Sequence, residues 1–375
     1  MDVTGAVENK LHQNRPRRIL SIDGGGIRCM IALEILLSLE NQIIEQTGDP
    51  SRRLSDQFDL IAGTSAGAML AGAIAMGSSM TDVRDFVLAN SKLMFKPTRW
   101  YNRYRSLYDK AELEQHMRDW YGADTTLGSD KLKTLLLMVM RNWSTDSPWL
   151  VSNNPHAIFN QPDLDDCNLH LPLWQLVRAS AAAPAYYVPE TITFGQQNQH
   201  EFIFVDGGLT GFVNPAFKAF QYVTNGAYGL NWKATEEQLT IVSVGSGDIR
   251  HKKLSKTEKD INVFKSVLGI PNAMIYATTR EQDLLCRTFG RCLTGESIDL
   301  EVSDMKQTSF PLESRMFRYH RINPVISDSG LKEIGCGHIR PKDVASIDKV
   351  DNVGQMAEVG QAMSGVVGEV LGDCL

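Results

Sequence analysis

The chain has 375 residues, 43% of them hydrophobic and 22% charged, with 38 Lys and Arg against 44 Asp and Glu for a formal net charge of −6. That is the composition of a globular protein with a sizeable core, and it excludes a disordered tail or a fibrous repeat. The acidic balance argues against a nucleic-acid polymer as partner, because phosphate binding needs a basic footprint. The six cysteines (Cys29, Cys167, Cys286, Cys292, Cys336 and Cys374) form no CxxC pair, and a chain this long needs no staples. They read as free thiols in a reducing compartment. Residues 1–18 lack the apolar run of a secretory signal, and the apolar stretch 66–76 is too short to span a bilayer. The expected location is the cytoplasm, with any membrane contact peripheral.

In chain order, Arg18-Ile19-Leu20-Ser21-Ile22-Asp23 reads as a short buried strand that ends at Gly24-Gly25-Gly26. Residues 27–44 read as a helix with Ile31, Leu33, Ile35, Leu36 and Leu39 on its apolar face. Phe58-Asp59-Leu60-Ile61-Ala62 is the next strand, followed at once by Gly63-Thr64-Ser65-Ala66-Gly67 and a helix of small residues. Strand, crossover helix, strand, sharp turn and helix make a βαβ unit on a largely parallel sheet. Residues 82–120 read as mostly helical, 133–140 as an apolar strand, and 173–183 as a helix stopped by Pro184. Residues 202–205 form a short strand running into Asp206-Gly207-Gly208, and 239–244 form another strand. The charged stretch 251–262 is expected to be exposed and 262–285 helical; beyond 322 the pattern weakens, with a last helix over 352–371. No linker divides the chain. The expectation is a polar lead-in at 1–16, one α/β domain over 17–350 with a mostly helical insertion around 82–130, and a helical tail at 351–375.

The Gly63–Gly67 stretch matches G-x-S-x-G, the nucleophile-elbow pattern. A serine on a tight strand-to-helix turn exposes its hydroxyl, flanking glycines let backbone approach, and the helix aims N–H groups at developing negative charge. The plain alternative is a tight turn in a sheet fold. Asp23-Gly24-Gly25-Gly26-Ile27-Arg28 is the second signal. It fits neither G-x-x-x-x-G-K-[ST] nor a complete G-x-G-x-x-G, so a phosphate or dinucleotide loop is disfavoured. It remains a turn that only glycine can make, or a nest of N–H donors serving as an oxyanion hole beside Ser65. Arg28 could steady that loop or attract an anionic head group. For a base, Asp206 is the best carboxylate: it ends a strand, where catalytic groups of parallel sheets gather, the lesser alternative being an Asp-Gly turn that caps the next helix. His251, His320 and His338 follow it in the order a triad would need, but none ends an obvious strand. Each reads as structural or exposed, and His200 as the start of a strand. The other option is a dyad in which Asp206 itself takes the proton, its pKa raised by burial.

Together these residues resemble the patatin-like phospholipase family. The resemblance rests on Asp23 to Arg28, Gly63 to Gly67, Ser180-Ala181-Ala182-Ala183-Pro184-Ala185-Tyr186-Tyr187, Asp206-Gly207-Gly208 and Asn214-Pro215, in that order over about residues 17–250. It implies a three-layer α/β/α sandwich with a mainly parallel central sheet. It also implies Ser65 as nucleophile, Asp206 as its partner in a dyad without histidine, and Gly24, Gly25 and Gly26 as the oxyanion loop. Arg28, Gly63, Gly67 and Gly207 support these groups. The implied activity is calcium-independent release of fatty acids from phospholipids or other acyl lipids, with no cofactor and no metal. Two departures are visible: Cys29 stands where the family commonly has glycine, and the second asparagine often found before Asn214-Pro215 is absent.

Residues 92–108 interleave Phe95, Trp100, Tyr101, Tyr104 and Tyr108 with Lys92, Lys96, Arg99, Arg103 and Arg105. The mixture suits a lid or lipid contact, and equally the internal packing of a helical insertion. Trp143, Trp149 and Trp174 read as core. The expected partners are an acyl-lipid substrate and a transient membrane surface, with room for a small-molecule or protein activator. An acyltransferase or a non-phospholipid esterase would use the same acyl-enzyme; a non-enzymatic binding module would leave the motifs without a purpose.

Overall fold

The computed structural model describes residues 5–98, 106–195, 197–250, 263–306 and 314–375. Residues 99–105 of the aromatic and basic run, and the charged stretch 251–262 with His251, lie outside them. Alternate side chains of the first strands point to opposite faces, and both faces are buried, so these strands read as nearly continuous apolar runs. In β1 (Arg17–Ile22), Leu20 and Ile22 enter one core and Ile19 the other. β2 (Leu60–Thr64) divides Ile61 from Leu60 and Ala62, and β3 (Leu135–Asn142) divides Leu136, Met138 and Met140 from Leu135 and Leu137.

The other strands are β4 (Ser147–Ser152), β5 (Glu190–Phe194), β6 (His200–Asp206), β7 (Leu239–Val244), β8 (Asp248–Ile249), β9 (Arg291–Thr294), β10 (Arg318–Ile322) and β11 (Val325–Ile326). Nine described strands form one sheet, and β8 pairs with β11 separately. β3, β2, β1, β7, β10 and β9 run parallel, in that order across the sheet. β4 and β6 are antiparallel to β3, and β5 to β6. On one face lie the helix Cys29–Thr47, Met80–Met94, Val353–Gln361 and Ser364–Cys374. On the other lie Ala216–Thr224 and Val263–Phe289, joined to it through Phe217, Phe220 and Cys286. This is the three-layer α/β/α sandwich with a mainly parallel sheet.

The register of β3 positions the site. Residues 137–142 of β3 pair with β4 along one edge. On the other edge β2 pairs up to Thr64↔Val139, and β6 takes over at Asp206↔Met140. β2 and β6 therefore approach each other head to head, and Ser65 and Asp206 arrive at the junction.

Several elements differ from the sequence expectation. The lead-in carries a helix, Gly5–His12, that buries Val7, and its Lys10 amine donates to the Phe58 carbonyl at 2.8 Å. β4, β5, β9 and β10 carry no strand pattern in the sequence reading, and the last helix is two helices, Val353–Gln361 and Ser364–Cys374. Trp149 packs among Phe194, Phe202 and Phe204, and Trp174 is buried, but Trp143 is 57% exposed and does not belong to the core. It lies just past the carboxyl end of β3, where the chain turns back into β4.

Candidate active site

Ser65 sits between β2 and the helix Ala66–Ala75 with φ 57° and ψ −128°. A side chain in that region strains the backbone by about 1–3 kcal/mol, so the surroundings must hold it there. They do so by close approach. A Cβ on Gly63 would strike the Gly67 carbonyl, and one on Gly67 would strike the carbonyls of Ile22 and Asp23 at the end of β1. The Ser65 N–H donates to Ser180 Oγ at 2.9 Å, and Ser180 Oγ–H donates to the Val139 carbonyl at 2.6 Å. Ser180 belongs to the Ser180–Tyr187 motif, but its place under the elbow becomes legible only in three dimensions.

The Ser65 hydroxyl donates to Asp206 Oδ2 at 2.6 Å, and the Gly208 N–H donates to Oδ1 at 2.6 Å. Gly207 fits closely against the Val139 carbonyl and the Thr64 side chain. Asp206 is buried, and desolvation raises its pKa to about 6, against the bonds from Ser65 and Gly208 and the charge of Arg178, which lower it. A carboxylate of that pKa is a better proton acceptor than an exposed aspartate and is still ionised at neutral pH.

The glycine loop follows β1. The Gly24 N–H donates to the Val213 carbonyl at 3.0 Å, whereas the N–H groups of Gly25 and Gly26 have no acceptor among the described residues. Gly26 has φ 56°, and a Cβ there would meet the Ile347 carbonyl. Asp23, buried just before the loop, is gripped on both oxygens by Arg321 of β10 at 2.9 and 2.5 Å. Arg321 also donates to Ser243 Oγ at 2.7 Å, and Ser246 Oγ–H donates to the Gly24 carbonyl at 2.9 Å. Cys29 is right-handed helical, with φ −54° and ψ −18°, so the thiol fits without strain where glycine is common. Asn214, without its doubled neighbour, is buried and accepts from the Ala216 N–H at 3.0 Å.

Ser65, Asp206 and the glycine loop line one cavity of about 1210 Å³, large enough for a lipid-sized ligand. Met69, Val87, Met94, Phe95, Leu113 and Tyr187 give it an apolar side. Phe95 and Tyr108 of the aromatic run pack on Tyr187, with Tyr108 stacked on Tyr186, so these two serve the cavity wall. No described histidine lines it. His320 is buried in β10, between Thr294 Oγ1 and Asp373, and His338 lies at the surface beside Glu358. Among the described residues no group of three or more His, Cys, Asp or Glu side chains is arranged to hold a metal, and no helix is long and apolar enough to cross a membrane.

The family model of patatin-like phospholipases matches residues 20–218, more than half of the chain, and the chain belongs to that family. Among its relatives, "Probable inactive patatin-like protein 9" of Arabidopsis thaliana is 30% identical over 246 residues, covering 62% of this chain and 61% of that protein. A "cGAMP-activated phospholipase" of Vibrio cholerae is 30% identical over 217 residues, 55% of this chain and 57% of that protein. Patatin-17 of Solanum cardiophyllum is 26% identical over 268 residues, 66% and 65% of the two chains. The alignments thus span less than two thirds of these relatives' own lengths. Among solved structures, human GIVD cytosolic phospholipase A2 is similar with a TM-score of 0.49 at 11% identity, covering 99% of this chain and 65% of that one.

Proposed function

We propose that the protein is a lipid acyl hydrolase that cleaves carboxylic esters of phospholipids through an acyl-serine on a Ser65–Asp206 dyad. The observation that carries this reading is the 2.6 Å hydrogen bond from Ser65 to Asp206 at the strained turn, opening on a cavity with an apolar side. The family includes relatives named inactive, so the activity is argued from these residues and not from the name.

In the acylation step Asp206 takes the Ser65 proton as Oγ attacks the ester carbonyl. The N–H groups of Gly25 and Gly26 receive the oxyanion, and Gly24 shapes the turn. Each such donor contributes about 3 kcal/mol to transition-state stabilisation. Collapse breaks the ester C–O bond, the protonated Asp206 returns its proton to the leaving alcohol, and the acyl group remains on Ser65. Water then gives a proton to Asp206 and attacks the acyl carbon; Ser65 leaves, takes the proton back, and a fatty acid is released. Gly63, Gly67 and Gly207 act by holding these groups in place, and Arg28 stands beside the loop with its charge facing the cavity.

The test is fatty-acid release from mixed phospholipid vesicles by wild type, Ser65→Ala and Asp206→Ala, with EDTA present. Release by wild type that is lost in both folded variants is expected. Removing the nucleophile should lower turnover by at least about 10³-fold. Release that survives Ser65→Ala would sink the mechanism. Repeating the assay with an added alcohol separates hydrolysis from acyl transfer by the product formed.

A further inference from the structure

The cavity continues past the glycine loop. Gly25 is close against Ser246 and Gly26 against Ile347, and beyond them the lining is polar: Arg28, Asp248, Arg250, Arg280, Asp283 and Arg287. All of these but Arg28 lie outside the 20–218 stretch that the family model matches. This second lobe is built by β8, the helix Val263–Phe289 and the segment after β9.

Among the described residues its charges do not balance. Arg287 is matched by Asp283, with both nitrogen–oxygen distances 2.9 Å. Arg321, at the back of the lobe, is matched by Asp23. Arg250 and Arg280 share one carboxylate, that of Asp248, at 2.6 and 3.1 Å. Arg250 also donates to the Ser297 carbonyl and Arg280 to the Ile298 carbonyl, and the Arg280 guanidinium lies over the Tyr276 ring at 4.8 Å. Arg28 is 7% exposed and has no ion pair among the described residues; one nitrogen reaches the Gly247 carbonyl at 3.3 Å. Among the described residues the buried Nε atoms of Arg28 and Arg280 have no hydrogen-bond partner. Burial lowers the Arg28 pKa only to about 10, so it stays charged at neutral pH. Among the described residues, three guanidinium groups thus face one carboxylate, with the exposed Glu296 the other acid lining this end outside the matched pairs. Buried charge of this kind is stabilised by a counter-ion, and guanidinium forks match phosphate oxygens.

We propose that this lobe is a phosphodiester subsite, held by Arg28, Arg250 and Arg280 and continuous with the ester site at Ser65. A phosphodiester carries one negative charge on two free oxygens and has a substituent on each side, which suits a site open to the rest of the cavity. The phosphate of the lipid being cleaved supplies that group if the proposed hydrolase reading holds. A separate soluble phosphodiester has the same chemistry and would bind without that reading.

Two measurements separate these cases. In the first, the melting temperature of Ser65→Ala is followed against glycerophosphocholine, with glycerol and sulfate as controls. Glycerophosphocholine is expected to stabilise the protein, and adding Arg250→Gln and Arg280→Gln should remove the shift. Asp248→Asn, which takes away the shared carboxylate, should strengthen binding several-fold, so a gain as well as a loss tests the site. No shift in any folded protein, or an equal shift with sulfate, would overturn the phosphodiester assignment whether or not the enzyme is active. The second measurement compares kcat/KM on phosphatidylcholine with that on the uncharged ester p-nitrophenyl butyrate. If the phosphate belongs to the substrate, the ratio of the two falls at least tenfold in Arg250→Gln/Arg280→Gln, mainly through KM for phosphatidylcholine. If the ligand is a separate molecule, the ratio holds, while free glycerophosphocholine changes wild-type turnover of p-nitrophenyl butyrate and the double variant does not respond. An unchanged ratio with no such response would overturn the proposal. Failure of wild type on both esters would count against the hydrolase reading alone.

Discussion

The turn at Ser65 and the loop at Gly24–Gly26 end neighbouring strands, but they are braced by different means. The Ser65 turn rests on backbone against backbone: Gly63 on Gly67, and Gly67 on the carbonyls ending β1. The glycine loop rests largely on side chains from the C-terminal half: Arg321 holds Asp23, and Ser246 holds the Gly24 carbonyl. A backbone brace tolerates nothing larger than hydrogen at the contact, so it leaves a glycine pattern at fixed spacing. A side-chain brace leaves one arginine and one serine far along the chain, which nothing in the sequence distinguishes from the others. The two braces should fail differently when broken.

The largest effect on stability is expected at the ion pair. Arg321→Met strands the buried Asp23 carboxylate, which costs about 3–5 kcal/mol. Asp23→Asn added to it removes the stranded charge, and denaturant unfolding should show much of the loss recovered. Ester turnover should stay low in the folded double variant, because the loop before Gly25 is no longer gripped from β10. Full recovery of both would reduce the pair to a structural element with no hold on the loop.

Gly67→Ala attacks the other brace. Its Cβ meets two carbonyls that cannot rotate away, so the turn must shift, at about 2–3 kcal/mol by analogy with overpacked cores. No second substitution is expected to rescue it, since the obstruction is main chain. Unchanged stability would mean that the turn does not depend on that approach.

These braces also explain what could be read from the sequence. β1, β2, β3 and β7 are apolar on both faces and stand out, as do the glycine turns that follow two of them. β10 does not, because Arg318-Tyr319-His320-Arg321-Ile322 reads as a polar, exposed segment. It is buried because Arg321 meets Asp23, and His320 and Arg318 meet Asp373 of the last helix, partners distant in sequence. β5 alternates buried and exposed positions at the sheet's edge, a weak signal over five residues, and β9 has only four. Ser65 and Asp206 were legible because each ends a recognisable strand in a glycine turn. Their meeting depends on β6 continuing the edge that β2 leaves, and nothing local in either strand encodes that register.

Asp206 gives a smaller effect with a pH signature. With a folded pKa of about 6 against an ordinary 3.8, the folded protein holds this proton more tightly than the unfolded chain. The group therefore favours folding most at low pH, and that contribution, on the order of 2–3 kcal/mol, is lost as pH rises from about 4 to 6. Asp206→Asn has no such proton, so the stability of the variant relative to wild type should increase across that window and level off above it. Wild-type turnover should fall about tenfold per pH unit below about 6, where the carboxyl is protonated and cannot accept from Ser65. A gap that stays constant from pH 4 to 8 would mean that burial does not raise this carboxyl.

Ser246→Ala is the mildest break. It takes one hydroxyl from the Gly24 carbonyl and leaves Asp23, Arg321 and the glycine backbone in place. Losing a single buried hydrogen bond of this kind costs about 1 kcal/mol. The Ser246 side chain stands against Gly25, whose N–H is one of the two proposed oxyanion donors, so the loop gains freedom at the point where charge develops. The expected result is a several-fold lower kcat with KM little changed, because the donors are misaligned for the transition state more than for the bound ester. Ser246→Thr keeps the hydroxyl and should restore kcat if its methyl group is accommodated beside Gly25. A loss confined to KM would instead assign Ser246 to the binding of substrate in the arginine-lined lobe.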